Sequence, residues 1–353
     1  MKLAETFAGK RALVTGHTGF KGSWLSLWLS EMGAEVYGFA LPPEYARSHF
    51  ELLDLEGRIR HIEGDIRDSA QLAAAFDRAR PEFVFHLAAQ ALVRRSYEDP
   101  KRTFDTNLGG SVNLLEEVRR ASDMEALVYI TSDKCYLNKE WTWGYRENDE
   151  LGGHDPYSAS KAAAEIAFTA YAHSYFAGSP VAIGSARAGN VIGGGDWAED
   201  RIVPDCVRAL EKNRPIVLRN PEATRPWQHV LDPLHGYLNL AASLSAGRVV
   251  SGDAWNFGPE ISRGPSVLEV AETAVTHWGS GAVEVDRPAD APFEHRLLQL
   301  AIDKAKLELG WRPRWNTERT IKATIEWYRR TGSGENAYDV STGQIDAFMA
   351  EAS

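Results

Sequence analysis

The chain has 353 residues, 44% hydrophobic and 25% charged, with a formal net charge of −10. That length supports a large core and a second lobe, and the acidic balance argues against nucleic acid as a partner. No apolar run approaches the ~20 residues of a membrane helix, no signal-peptide h-region opens the chain, and Cys135 and Cys206 make no CxxC pair; neither a disulfide framework nor a metal site is expected, and a cytoplasmic location is.

Residues 12–15 have strand character and run into Gly16-His17-Thr18-Gly19-Phe20-Lys21-Gly22, after which 23–29 read as an apolar helix. A strand, a tight glycine turn and a helix N-terminus together form a phosphate cradle, so a dinucleotide site is expected here. Residues 35–40 read as a second strand. Its end, Leu41-Pro42-Pro43, lacks the acid that usually holds the ribose hydroxyls of NAD, and Glu35 stands at the wrong end. Lys21 inside the turn is able to accommodate a 2′-phosphate. A third strand ends near residues 62–66, where Asp65 is placed to accept from an adenine amino group and Ile66 to lie against the ring. The competing role is an N-cap, by Asp65 or Asp68, for the helix of residues 69–80.

The fourth strand, residues 83–87, continues into Leu87-Ala88-Ala89-Gln90, whose small side chains leave room for a flat cofactor. A long helix around residues 106–115 leads to a fifth strand at 126–130 and, further on, a sixth at 181–186. Regular alternation of strand and helix predicts an α/β, doubly wound parallel sheet with right-handed crossovers. Beyond residue 193 the composition shifts to loops and scattered Arg, Pro and Trp. This predicts one domain of residues 1–192 plus 228–258 and a smaller C-terminal α/β substrate lobe of 193–227 plus 259–353. Past Thr331 the tail reads as polar and Gly/Ser-rich, with a short helix near Ile345.

Two clusters carry chemistry. In Asp155-Pro156-Tyr157-Ser158-Ala159-Ser160-Lys161, Asp155 caps a helix, Pro156 suits its first turn, and Tyr157 and Lys161 share a face. An ammonium near a phenol lowers the phenol's pKa, so the phenolate can take a proton from a sugar hydroxyl. In Thr131-Ser132-Asp133-Lys134-Cys135-Tyr136, a hydroxyl, an acid and an amine follow the fifth strand, at the end where doubly wound sheets bind ligands.

With these stretches, Trp143-Gly144-Tyr145-Arg146-Glu147, the run 187–197 (Arg187-Ala188-Gly189-Asn190 through Asp196-Trp197) and Arg225-Pro226-Trp227-Gln228-His229-Val230, the chain resembles the extended short-chain dehydrogenase/reductases. Within them it is similar to the CDP-glucose branch of the nucleotide-sugar 4,6-dehydratases, up to about Tyr328. The resemblance implies a Rossmann-type sheet, bound NAD, CDP-glucose as substrate and a homodimer or homotetramer. It implies a three-step reaction with no net redox: oxidation at C4, loss of water across C5 and C6, reduction at C6. Gly16, His17, Gly19, Phe20, Lys21, Gly22, Asp65, Ile66, Leu87, Ala88, Ala89, Gln90, Tyr157 and Lys161 would hold the cofactor. Tyr157 would be the C4 base, Ser132 would hold the C4 oxygen and Asp133 would protonate the leaving hydroxyl. Where the dTDP-glucose branch has Glu as C5 base, this chain has Lys134. Asn190, Arg219, Arg225, Arg287, Glu294 and His295 would bind the nucleotide-sugar phosphates. Other readings are a 4-epimerase or reductase of the same superfamily, which needs no acid beside Lys134, and a non-catalytic NAD(P) sensor, which loses Tyr or Lys.

Overall fold

The computed structural model describes residues 3–260, 264–286 and 297–351. In chain order the first half comprises α1 (Leu3–Phe7), β1 (Arg11–Thr15), α2 (Phe20–Glu31), β2 (Glu35–Ala40), α3 (His49–Leu52), β3 (Arg60–Glu63), α4 (Ser69–Ala79), β4 (Phe83–His86), α5 (Val93–Glu98), α6 (Pro100–Phe104), α7 (Ser111–Arg120), β5 (Ala126–Ile130) and α8 (Pro156–Tyr171). The second half comprises β6 (Ala182–Ala188), β7 (Val191–Ile192), α9 (Ile202–Glu211), β8 (Ile216–Leu218), β9 (Gln228–His229), α10 (Leu231–Ser245), β10 (Ala254–Phe257), α11 (Val267–Trp278), β11 (Val283–Val285), α12 (Asp303–Leu309), α13 (Thr317–Gly332) and α14 (Ala337–Ala350).

Seven parallel strands form the central sheet in the order β10-β6-β5-β4-β1-β2-β3. The chain reverses direction across the sheet between β1 and β4, which opens a crevice at the carboxyl ends of those strands. β4 and β5 are buried along their whole length, as strands covered on both faces must be. Helix α2 is buried continuously from Gly22 to Leu29, with no polar face. Such a helix must be covered on every side. The sheet lies on one side, and α14 and α10 close it from outside.

β8 and β11 form a separate parallel pair flanked by α9 and α11. β10 rejoins the main sheet beside β6, and α10 packs across β5 and β6. The tail departs from the sequence expectation. α14 runs for fourteen residues, burying Val340, Ile345 and Phe348, and lies against α2, α3 and α13. Both cysteines are buried and free. Among the described residues no helix is long and apolar enough to cross a membrane, and no cluster of metal-ligating side chains occurs.

Candidate active site

The glycine turn meets the sheet with no space to spare. Gly16 has φ +74°, and a Cβ there would stand 2.8 Å from the Ala88 nitrogen; one at Gly22 would stand 2.2 Å from the Gly16 carbonyl oxygen. Both positions require glycine. Gly19 precedes α2 without a side-chain cap, so the first amides of α2 face the turn open to an anion. On the opposite wall Thr15 Oγ1 accepts from Ala88 N, and Asn107 brackets Gln90 by accepting from its N–H at 2.8 Å and donating to its carbonyl at 3.0 Å. Asn107 also donates to Ser160 on α8, which ties the Leu87–Gln90 stretch to the helix of Tyr157.

Several residues expected at the cofactor are turned in unexpected directions. The His17 ring points into the protein, where its Nε2 meets His61 Nδ1 at 2.7 Å and Gly38 leaves it room. Burial first, and His61 second, push its pKa down to about 3, so the ring is neutral. Lys21 reaches the other end of the crevice: its ammonium feels Lys161, Arg201 and Asp133 and stands 6.0 Å over the Tyr237 ring. That direction leaves it no part in a 2′-phosphate site. Burial, helped by the neighbouring cations, lowers its pKa to about 8. The Asp65 carboxylate is engaged by Arg67, with N···O distances of 2.5 to 3.0 Å, and Asp68 rather than Asp65 caps α4. Ile66 is buried against Gly110.

At the carboxyl end of β5 the two catalytic clusters come together. Asp155 caps α8 by accepting from Ser158 N at 2.9 Å, and Pro156 opens the helix. Tyr157 and Lys161 follow, 8% and 6% exposed. Opposite them, Ser132 starts a tight turn at Asp133–Cys135 by accepting from Lys134 N. The Ser132 hydroxyl donates to Asp133 Oδ1 at 2.9 Å and Asn190 Nδ2 donates to Oδ2 at 3.4 Å. Gly189 makes room for that carboxylate, since a Cβ there would lie 2.0 Å from it. Lys134 lines a small cavity with Asn138, Gly153, His154, Asp155 and Ser158, beside the start of α8.

Burial lowers Lys161 to about 8, opposed by Glu165. The Tyr157 phenol is pushed up to about 12 by burial, with the Ser132 hydrogen bond pulling the other way. Lys161 is expected from the sequence to lower the phenol's pKa; in the fold the larger influence is burial, which raises it.

Beneath the site lies an ionic lattice the sequence reading missed. Glu165, fully buried on α8, accepts from Thr131, from Ser185 at 2.5 Å and from Arg187 at 2.7 Å. Arg187 also donates to the Tyr136 hydroxyl at 2.7 Å and the Glu147 carbonyl at 2.9 Å. The signal was present: an arginine inside an apolar strand such as β6 must find an acid.

Among the anion-binding candidates, Asn190 adopts φ +51° beside Asp133, and Arg225 donates to the Thr224 carbonyl at 2.8 Å. Arg219 is exposed at the end of β8. Arg287, Glu294 and His295 lie outside the described residues. Arg201 was not anticipated; it pairs with Asp196 at 2.7 Å and its charge reaches Tyr157.

A family model described as GDP-mannose 4,6 dehydratase matches residues 13–324. The chain belongs to that family. A CDP-glucose 4,6-dehydratase of Salmonella typhimurium is 46% identical over 347 residues, covering 97% of each chain. A dTDP-glucose 4,6-dehydratase of Xanthomonas campestris is 30% identical, over 90% of this chain and 92% of that one. Among solved structures, a UDP-glucose 4-epimerase of Thermotoga maritima has a TM-score of 0.77 at 25% identity, covering 91% of this chain and 99% of that one. A dTDP-glucose 4,6-dehydratase of Streptomyces venezuelae, solved with NAD bound, has the same score and identity over 92% and 98%. The doubly wound expectation holds, and so does membership among the nucleotide-sugar dehydratases.

Proposed function

We propose that this chain converts CDP-glucose to CDP-4-keto-6-deoxy-glucose with a bound NAD that returns to its starting state each turnover. The observation that carries the reading is the meeting of Tyr157 and Lys161 with Ser132 and Asp133 at one strand end, under a glycine turn built for a dinucleotide. NAD, when bound, brings a positive ring to the site, accepts a hydride from C4 and gives it back at C6. Its pyrophosphate would be held by the uncapped first turn of α2, which the close packing of Gly16 on Ala88 and of Gly22 on Gly16 sets in place. The 46% identical relative, whose name carries CDP-glucose, supports the choice of base.

Tyr157 takes the proton from the C4 hydroxyl, which Ser132 orients, and Lys161 lies on the same face of α8 one turn away. Once C4 is a ketone, the C5 proton is acidic and Lys134 removes it. Asp133, buried at 3% exposure, gives its proton to the departing C6 hydroxyl. A 4-epimerase has no step that uses such an acid. Asn190, Arg201, Arg219 and Arg225 hold the sugar-nucleotide phosphates, with the lobe from residue 193 as their frame. The assembly is a homodimer or homotetramer, which light scattering reads directly.

Incubation with CDP-, dTDP- and GDP-sugars, followed by mass spectrometry, tests the function. A product lighter by one water from CDP-glucose alone is expected. An isomer of unchanged mass points to epimerisation, and turnover of dTDP- or GDP-sugars in place of CDP-glucose overturns the choice of base.

A further inference from the structure

Six buried side chains form a sealed network behind α2 and the loop that follows Asn190. Ser23, Trp24, His49, Trp327, Tyr328 and Ser341 are each no more than 1% exposed. The hydrogen-bond directions in it are fixed. The single proton of the Ser23 hydroxyl goes to the Phe20 carbonyl at 2.9 Å. Toward His49 Nδ1, 2.9 Å away, Ser23 is therefore an acceptor, so the imidazole carries its proton on Nδ1. Nε2 is then a lone pair, and it receives the Ser341 hydroxyl at 3.0 Å. Ser341 in turn accepts the indole N–H of Trp327 at 2.9 Å. Burial keeps His49 neutral, its pKa lowered to about 3, as this arrangement requires.

The same residues grip the loop that follows Asn190. Trp24, stacked on His49 with centroids 4.5 Å apart, donates its indole N–H to the Gly194 carbonyl at 2.9 Å. Tyr328 donates its hydroxyl to the Asp196 carbonyl at 2.5 Å. Gly194 and Gly195 press against the network so closely that a Cβ would lie 2.0 Å from Trp327 and 2.5 Å from His49 respectively. The Asp196 carboxylate then holds Arg201, the cation facing Tyr157.

We propose that the His49-centred hydrogen-bond chain, closed by Ser341 of the C-terminal helix, is a positioning device that sets loop 193–201 for the nucleotide sugar. It fixes the Phe20 carbonyl on the cofactor turn and the Gly194 and Asp196 carbonyls on the sugar side in one rigid frame. Trp327, Tyr328 and Ser341 lie beyond the residues matched by the family model, which end at 324. This role rests on the nucleotide-sugar reading of Arg201.

His49→Phe keeps the stacked ring and removes both nitrogens; Ser341→Ala removes one hydroxyl. With CDP-glucose, each is expected to raise KM about tenfold, the factor carried by one or two lost buried hydrogen bonds, while kcat stays within about twofold. Because both break one chain, the double variant is no worse than either single, and Ser341→Thr, which keeps the hydroxyl, retains the wild-type KM. A KM unchanged in all variants while the melting temperature falls reduces the network to packing and overturns the proposal. Additive effects in the double variant overturn it as well. Calorimetric binding of CDP gives the same ratios without turnover, so an inactive wild type that still binds CDP overturns the activity while the positioning role is still measured.

Discussion

At the scale of single residues two side chains carry the proton transfers proposed above. Tyr157 is a phenol whose burial resists ionisation, so the base role proposed for it would draw on the positive charge of a bound nicotinamide. Tyr157→Phe keeps the ring and the packing and removes only the acidic oxygen. Turnover is expected to fall by ~10²–10⁴ while NAD binding, followed by calorimetry, stays within the error of wild type. Lys134 presents a different choice. A lysine acts as base only when neutral, a minor species at pH 7 for an ordinary ammonium of pKa ~10.4. A charged Lys134 would instead stabilise the enolate formed as C5 loses its proton. Lys134→Arg separates the two, because arginine keeps the charge and cannot be deprotonated. We expect it to slow solvent-deuterium incorporation at C5 by ~10²–10⁴. Incorporation at the wild-type rate would transfer the base role elsewhere and leave Lys134 an electrostatic one. Tyr157, Lys161, Ser132 and Asp133 are legible as candidates because each type suits one task at a fixed spacing. Arg201 is less so: it is one arginine among many until the 193–201 loop brings its charge to Tyr157.

At the scale of elements, the Glu165–Arg187 pair joins α8 to β5 and β6 and so fixes the distance between Tyr157 and Ser132. Removing one partner of a buried pair costs about 3–5 kcal/mol, whereas replacing both with apolar groups is far milder. Glu165→Leu is therefore expected to lose about that much stability in urea unfolding. Adding Arg187→Met should recover part of the loss but not all, because Thr131, Ser185 and Tyr136 lose a partner too. A double variant less stable than Glu165→Leu alone would contradict the pairing. β2 and β5 were legible to the residue, since apolar runs bounded by turn residues leave little choice of register. The expected long helix around 106–115 is present as one run from α6 to α7, but its middle, Asp105–Gly110, widens into a π-helix, and nothing local marks where Asn107 must reach Gln90 and Ser160. The stretch of α14 reads as a polar tail because Ser341, Thr342 and Gly343 are poor helix formers. What holds it helical is remote: Trp28, His49 and Trp327, none of them near it in sequence except the last.

At the scale of the whole molecule, the same burial that builds the site makes the fold sensitive to acid. His17, His49, His86, His229 and His235 are all pressed down to about 3 from an ordinary 6.5, burial being the leading cause in each. His49, for one, has both nitrogens committed to serines, so a second ring proton would have nowhere to go. With folded values below unfolded ones, the unfolded chain binds more protons between about pH 3 and 6.5, and stability rises with pH across that window. The stabilisation is thus complete above pH 6.5 and lost as pH falls toward the folded values. At pH 5 each ring forfeits on the order of 2 kcal/mol, and even half of that from five rings is comparable with the 5–15 kcal/mol of an entire fold. Asp232, raised by burial to about 7, works in the opposite sense, as do Glu147 and Asp205, which burial also raises, but they are three groups against five. Urea unfolding at pH 7, 6 and 5 should therefore show a midpoint that drops steeply below pH 6.5, with cooperative loss of near-ultraviolet circular dichroism above pH 4. A midpoint flat from pH 7 to 5 would mean that these rings gain protons without unfolding, and that the packing around His49 opens to admit one.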